Sequence, residues 1–316
     1  MSTLPRIVFM GTPDLAQVIL ARLVDSGVGQ VVGVVAQPDR PVGRHLELTP
    51  PPVKAEALRR GLPVLQPLKA REPGFVEQLR AWAPDVVVVA AYGQILPQAL
   101  LDVPRLGCLN LHTSLLPRWR GAAPIQWAIA EGDAESGVCL MRMEASLDTG
   151  PVLTTVRTPI TDSDTGRTLH DRLAALGGQR LVESLPGYVG GRIHPVAQSK
   201  EGVTYARKIS REDGRIDWVR PARELWRRQR AFDPGPGAFC FIPGPTEGAR
   251  RLLKVHAMEP LEGVSDKPGM VLGGMPDGLV VACGEGALRL QEVQVEGGRR
   301  VSAAAFRAGH PLERLE

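Results

Sequence analysis

The sequence predicts an α/β protein: a doubly wound, Rossmann-like parallel sheet domain followed by a small OB-like β-barrel domain. Three observations point there. In the first part of the chain, short continuously apolar segments alternate with segments of helical periodicity, the pattern of a parallel sheet covered on both faces. Beyond about Arg207, short strand-like runs follow one another, separated by Gly, Pro and Asp, as in small antiparallel barrels. The chain has 316 residues, 43% of them hydrophobic, which is enough to bury two cores. The expected division is 1–190 for the sheet domain, 191–208 for a linker and 209–316 for the barrel.

Taken in order, Arg6-Ile7-Val8-Phe9-Met10 reads as a buried first strand. Gly11-Thr12-Pro13-Asp14 then offers a tight turn, an N-cap in Thr12, a proline at the first helical position and a first-turn acid. Leu15, Val18, Ile19 and Leu23 follow at helical spacing. Val31–Val35, Pro84–Ala90 and Cys108–His112 are the next apolar strands, and Val138–Met143 and Pro151–Val156 are two more. Leu169, Leu173 and Leu176 mark the core face of a helix. The stretch from Pro186 to Pro195 is rich in Gly and Pro and reads as the end of the domain. In the second region 252–257, 269–272, 278–282 and 288–293 read as strands, and Pro221 opens a helix.

Composition removes several classes. Cys108, Cys139, Cys240 and Cys283 stand far apart with no Cys-x-x-Cys pair, so free buried thiols are expected, and neither a disulfide framework nor a zinc site. No apolar run approaches the roughly 20 residues of a membrane helix and the N-terminus enters a strand directly, so a soluble cytoplasmic protein is expected. A monomer is the default. Net charge is only +4, but nine Lys or Arg against four acids fall between Arg207 and Arg230. Arg223, Arg227 and Arg230 recur there at helical spacing as one basic stripe, which is either a solvated face or a phosphate-backbone contact. The first βα turn lacks the second and third glycines of a dinucleotide fingerprint, which argues against NAD or NADP, and there is no Walker A lysine motif.

The chemistry is concentrated at one strand end. Asn110 and His112 are two apart, so on a strand both side chains point to one face, one able to donate from an amide and the other to shuttle a proton. Alone, the pair also fits a strand-end cap beside a structural histidine. The next residues are Ser114-Leu115-Leu116-Pro117-Arg118-Trp119-Arg120-Gly121-Ala122-Ala123-Pro124-Ile125. With them the segment resembles the signature of the 10-formyltetrahydrofolate-dependent formyltransferases, and most of all the members that act on methionyl initiator tRNA. The likeness spans nearly the whole chain, most densely at 11–14, 37–44, 107–127 and 147–150.

The resemblance implies a formyl transfer from 10-formyltetrahydrofolate, with no metal, to the amine of methionyl initiator tRNA. It makes 1–190 the catalytic domain and 209–316 a tRNA-binding domain. It gives Asp148, otherwise an ordinary turn aspartate in Leu147-Asp148-Thr149-Gly150, a catalytic role 36 residues after His112. Asn110 and a protonated His112 would then stabilise an oxyanion, worth about 3 kcal/mol per donor, while Asp148 orients the ring and helps move protons. No Gly-x-Ser-x-Gly elbow surrounds Ser114, so it is expected to cap a turn and not to act as a nucleophile. Ser114, Leu115, Leu116 and Pro117 are expected on the substrate side. Ala90, Tyr92, Gly93, Gln94, Ile95 and Leu96 resemble the family's pterin loop, with Ile95 and Leu96 packing on the ring, although an ordinary βα loop would carry the same letters.

The insertion from Gln37 to Lys54, with Arg40 and Arg44, resembles the loop that enters the acceptor arm of the tRNA, and Arg223, Arg227 and Arg230 are expected on its backbone. Three departures from the family pattern stand out. His45-Leu46-Glu47-Leu48 replaces a glycine and two lysines, Gly235-Pro236 replaces Trp-Pro, and Thr113 stands where Gly or Ala is usual. Two other readings are a formyltransferase for an amino-sugar nucleotide and a non-catalytic tRNA-binding protein.

Overall fold

The computed structural model describes residues 4–43, 46–244, 246, 248–264, 266–273 and 278–316. They form two compact units, one of residues 1–124, 135–159 and 170–207, the other of 125–134, 160–169 and 208–316. In chain order the elements are β1 (Arg6–Gly11), α1 (Asp14–Ser26), β2 (Gln30–Val35), β3 (Arg40–Val42), β4 (Glu47–Thr49), α2 (Pro52–Arg59), β5 (Val64–Leu65), α3 (Pro73–Ala81), β6 (Val86–Ala90), α4 (Gln98–Leu101), β7 (Cys108–His112) and β8 (Arg120–Gly121). They continue with α5 (Pro124–Ala130), β9 (Glu135–Arg142), β10 (Val152–Pro159), α6 (Gly166–Val189), β11 (Tyr205–Ala206), α7 (Ala222–Ala231), β12 (Ala238–Pro243), β13 (Arg250–Leu261), β14 (Leu279–Ala282), β15 (Ala287–Val295), β16 (Arg300–Ser302) and α8 (Ala303–Gly309).

The first unit is built on a seven-stranded sheet in the order β10-β9-β7-β6-β1-β2-β5. β1, β2, β5, β6 and β7 run parallel. The expectation of an all-parallel sheet needs correction at one edge, because β9 pairs antiparallel with both β7 and β10. The continuous apolar runs are explained by burial: every residue of β6 and all but the first of β1 are buried, each Val or Ile contributing about 1.5–3 kcal/mol. β1 leads to β2 on one side and β6 takes up the other side. The strand order therefore reverses between β1 and β6, and the crevice at their carboxyl ends is where such sheets bind ligands.

Local details differ from the sequence reading where tertiary contacts compete. Thr12 does not cap α1; Pro13 takes that position without a side-chain bond, and the Thr12 hydroxyl donates to the Tyr92 carbonyl at 3.0 Å. Leu15, Ile19 and Leu23 enter the core, but Val18 is 45% exposed, since it lies on the outer flank of the helical stripe. α6 continues through Pro186 to Val189, past the expected stop. The insertion from residue 37 contains a hairpin that pairs Arg40 with Thr49 and Val42 with Glu47. Its base is tied by Lys54 and Gln66, both donating to the Asp39 carboxylate at 2.7 Å. Residues 191–207, expected within a linker, include β11, which pairs in parallel with β8 inside this unit.

The second unit contains a curled antiparallel sheet, β12-β13-β15-β14 with β16 on β15. Irregularities in the β13 register between Val255 and Met258 bend this long strand. Leu253, Val255, Leu288, Leu290 and Val293 form its core with Cys240, Leu279 and Val281. β12, β16 and α8 carry weak periodicity and were not expected. The strand expected at 269–272 is absent: Met270 and Val271 make only isolated bridges to Arg314 and Val281, because Gly269 takes a positive φ of 86°. All four cysteines are buried and unpaired, and burial pushes the Cys108, Cys240 and Cys283 thiols up to about 12. Among the described residues no helix is long and apolar enough to cross a membrane, and no cluster of three His, Cys, Asp or Glu could hold a metal.

Candidate active site

A cavity of about 550 Å³ opens at the carboxyl ends of β6 and β7 in the first unit, and Asn110, His112 and Asp148 all line it. Strand alternation sends the Asn110 and His112 side chains to this one face while Leu109 and Leu111 enter the core. His112 is buried, and its Nε2 lies 2.8 Å from the Trp119 carbonyl. A carbonyl only accepts, so Nε2 carries the proton and Nδ1 turns to Asp148, whose Oδ2 is 3.7 Å away. That gap is longer than a direct hydrogen bond and leaves both groups facing the cavity. The same Oδ2 accepts from the Gly121 backbone N–H at 2.8 Å.

The Trp119 carbonyl holds Nε2 from one side of the ring while Asp148 faces Nδ1 from the other, and the Gly121 N–H fixes the carboxylate. Both anchors come from the turn after β7, where Trp119 has φ +63° and Gly121 φ +119°. A side chain at Gly121 would run into the Ala206 carbonyl. Asp148 itself is left-handed, with φ +51°, in a turn closed by Gly150, whose Cβ position is filled by the Arg142 carbonyl.

The remaining expected positions divide. Tyr92, Gly93, Gln94, Ile95 and Leu96 line the cavity, joined by Val89 and Ala91. Ala90 is fully buried in β6 and absent from the lining, because alternation turns it to the other face. Leu96 is part of the core beneath, while Ile95 is 78% exposed at the rim. Gln94 spends its amide on the scaffold, donating to the Leu68 carbonyl and accepting from the Ala70 N–H at 2.7 Å. Burial pushes the Tyr92 phenol up to about 12, so it stays neutral.

Ser114 donates to the Arg118 carbonyl at 2.7 Å, closing the turn. Ser114, Leu115, Leu116 and Pro117 do not reach the cavity lining, whereas Thr113 does. Arg40 is exposed on β3, and Arg44 lies outside the described residues. On α7 the expected single stripe breaks up. Arg223 is exposed and Arg227 half-buried, but Arg230 is buried and donates to the Thr161 and Asp164 carbonyls at 2.9 and 3.0 Å. Trp119, Arg120 and Gly121, and with them Gln198 and Thr204, are site residues that the sequence does not single out. Backbone donors and acceptors carry no sequence mark, and Gln198 and Thr204 sit in a stretch without periodicity.

Residues 5–185 match the family described as Formyl transferase, and 208–311 match its C-terminal domain. The methionyl-tRNA formyltransferase of Myxococcus xanthus is 54% identical over 308 residues, covering 98% of this chain and 96% of that protein. The one from Stutzerimonas stutzeri is 51% identical, over 93% and 91% of the two chains. Among solved structures, HypX from Aquifex aeolicus in complex with tetrahydrofolic acid superposes with a TM-score of 0.62 at 18% identity, over 97% of this chain and 47% of that one. WlaRD, a sugar 3N-formyl transferase crystallised with dTDP and 5-N-formyl-THF, superposes with 0.63 at 14% identity, over 92% and 98%. At these identities the two structures share the fold.

Proposed function

The chain belongs to the formyl transferase family, and from that premise we propose that it moves a formyl group from 10-formyltetrahydrofolate to the α-amino group of methionyl initiator tRNA in translation initiation. One observation carries the reading of the site: Asn110, His112 and Asp148 converge on a single cavity, with Nδ1 and the carboxylate 3.7 Å apart.

The cavity fits the donor. Its lining is mostly apolar along Val89, Ala91, Tyr92, Gly93 and Leu96, and polar at Asn110, His112 and Asp148, the combination that seats a flat heterocycle and orients its reactive end. 10-Formyltetrahydrofolate supplies the formyl carbonyl. The Asn110 amide donates to the oxygen on which negative charge develops, and His112, when doubly protonated, donates from Nδ1. Asp148 accepts a proton from the attacking amine directly or through water, and His112 returns one to the departing nitrogen. Because Nε2 is held by the Trp119 carbonyl, only Nδ1 takes part in this exchange.

Exposed Arg40 on the β3–β4 hairpin and exposed Arg223 on α7 support contact with the tRNA backbone, the hairpin on the acceptor arm. The same hairpin favours tRNA over an amino-sugar nucleotide, which needs no such projection. The curled sheet of the second unit supports an OB-like, tRNA-binding barrel over 209–316, after a catalytic domain over 1–190. A reaction of translation initiation puts the protein in the cytoplasm. Incubation with 10-formyltetrahydrofolate and methionyl initiator tRNA is expected to yield formylmethionyl-tRNA. Absence of product with active folate, or faster formylation of an amino-sugar nucleotide, would overturn the reading.

A further inference from the structure

His112 is flanked by two residues held in the left-handed region without being glycine, Trp119 at φ +63° and Asp148 at φ +51°. Such backbone costs on the order of 1 kcal/mol or more per residue and persists where its surroundings fix it. Each conformation serves the site: Trp119 aims its carbonyl at Nε2, and Asp148 presents its carboxylate to Nδ1. Both are secured by side chains from one distant segment, 198–204. The Gln198 amide nitrogen donates to the Asp148 carbonyl at 2.8 Å and to the Gly150 carbonyl at 2.7 Å. The Thr204 hydroxyl oxygen accepts from the Trp119 N–H at 2.9 Å.

Gln198 is itself oriented. Its carbonyl oxygen accepts from Arg120 at 2.8 Å (Nη2) and 3.2 Å (Nε), and Arg120 is buried to 9% exposure. A guanidinium only donates, so Arg120 determines which end of the amide is oxygen, and with it that the nitrogen faces the turn of Asp148. Arg120 is also the residue between Trp119 and Gly121, the two backbone anchors of the His112 and Asp148 side chains. Its own backbone N–H donates to the Thr204 carbonyl at 2.9 Å. The 119–121 turn, the 148–150 turn and the 198–204 segment therefore close one ring of hydrogen bonds around the histidine.

We infer that Gln198, polarised by Arg120, is a positioning residue that holds the left-handed turn of Asp148 so that its carboxylate stays within proton-transfer reach of His112. Thr204 does the same for Trp119. The inference rests on the proposed role of Asp148. A displacement of about 1 Å at such a group costs on the order of 10²-fold in rate, so the effect belongs in kcat and not in substrate affinity.

The test compares Gln198→Glu, Gln198→Ala and Asp148→Ala with the parent protein by steady-state kinetics, thermal melting and equilibrium binding of tetrahydrofolate. Glutamate keeps the size and the contact with Arg120 but loses both donated bonds. Gln198→Glu and Gln198→Ala are expected to lower kcat at least tenfold, with KM for both substrates and folate affinity within twofold and melting within a few degrees. Arg120→Met, which frees the amide to rotate, is expected to lower kcat by less than Gln198→Glu. A Gln198→Glu protein with parental kcat overturns the inference, as does a loss seen only in KM. If Asp148→Ala keeps full activity, the reading of Asp148 itself has failed. If Asp148→Ala is inactive and both Gln198 variants are fully active, only the positioning role has failed.

Discussion

The cavity of the first unit and helix α7 of the second are both rich in polar groups that the sequence marks, and the structure uses them oppositely. Around the cavity, polar side chains are fixed by backbone partners and still present a free valence: His112 is anchored through Nε2 and turns Nδ1 inward, and Asp148 is anchored by the Gly121 N–H and keeps its other oxygen available. On α7, charge is largely consumed within the fold. Arg230 donates to two carbonyls and stacks over Trp226 at 4.0 Å, and Arg228 donates to the Asp213 carbonyl and lies over Phe232. Burial lowers the pKa of both guanidinium groups. A cluster of charges in sequence therefore marks a surface only where the fold leaves the side chain exposed, and of the α7 arginines that is Arg223.

The contrast predicts effects of different kind and size. His112→Ala is expected to lower kcat by 10³-fold or more while tRNA affinity changes less than twofold, measured by single-turnover formylation and filter binding. An equal loss in both would make His112 a binding or structural residue. Asn110→Ala removes one oxyanion donor and is expected to cost about 10²-fold in kcat; a change confined to KM would remove it from that role. Arg230→Ala strips the Asp164 carbonyl, which is buried, and the partly buried Thr161 carbonyl of their donor and is expected to destabilise the protein by about 1–3 kcal/mol, seen as a lower denaturant midpoint. Parental stability with weakened tRNA binding would return Arg230 to the surface stripe. Arg223→Ala is expected to leave stability within about 0.5 kcal/mol, to weaken tRNA binding a few-fold and to reduce the salt slope by about 1.

A pH measurement extends the comparison to a charge consumed in the first unit. Glu56 is 6% exposed and bonded to Arg59 and Arg60. The Arg59 bond is the largest cause holding its carboxyl at about 2, below the usual 4.5. A depressed carboxylate stabilises the folded state above its unfolded pKa, and that contribution is lost as pH falls through the folded value. Parent and Glu56→Gln melting temperatures should therefore differ most above pH ~4.5 and converge as pH drops towards about 2. A constant difference across that window would show that the ion pair is not its source.

The sequence alone carried the central strands of the first unit, because a strand buried on both faces writes its apolar run directly into the chain, as Val86–Val89 does. It also brought Asn110 and His112 to one face, since period-two alternation is local, and supplied in the Leu-Asp-Thr-Gly turn the family likeness that singles out Asp148. It missed β12, β16 and α8, whose short, mixed patterns acquire meaning only against β13 and β15. Tertiary structure alone decided that the sheet edge runs antiparallel, that Arg230 is interior, and that the ring of His112 is fixed by the Trp119 carbonyl. Those outcomes depend on backbone groups and on contacts such as Gln198 with Asp148, 50 residues apart. Such partners leave no periodicity in the chain, and a glutamine reads the same whether it meets water or two carbonyls.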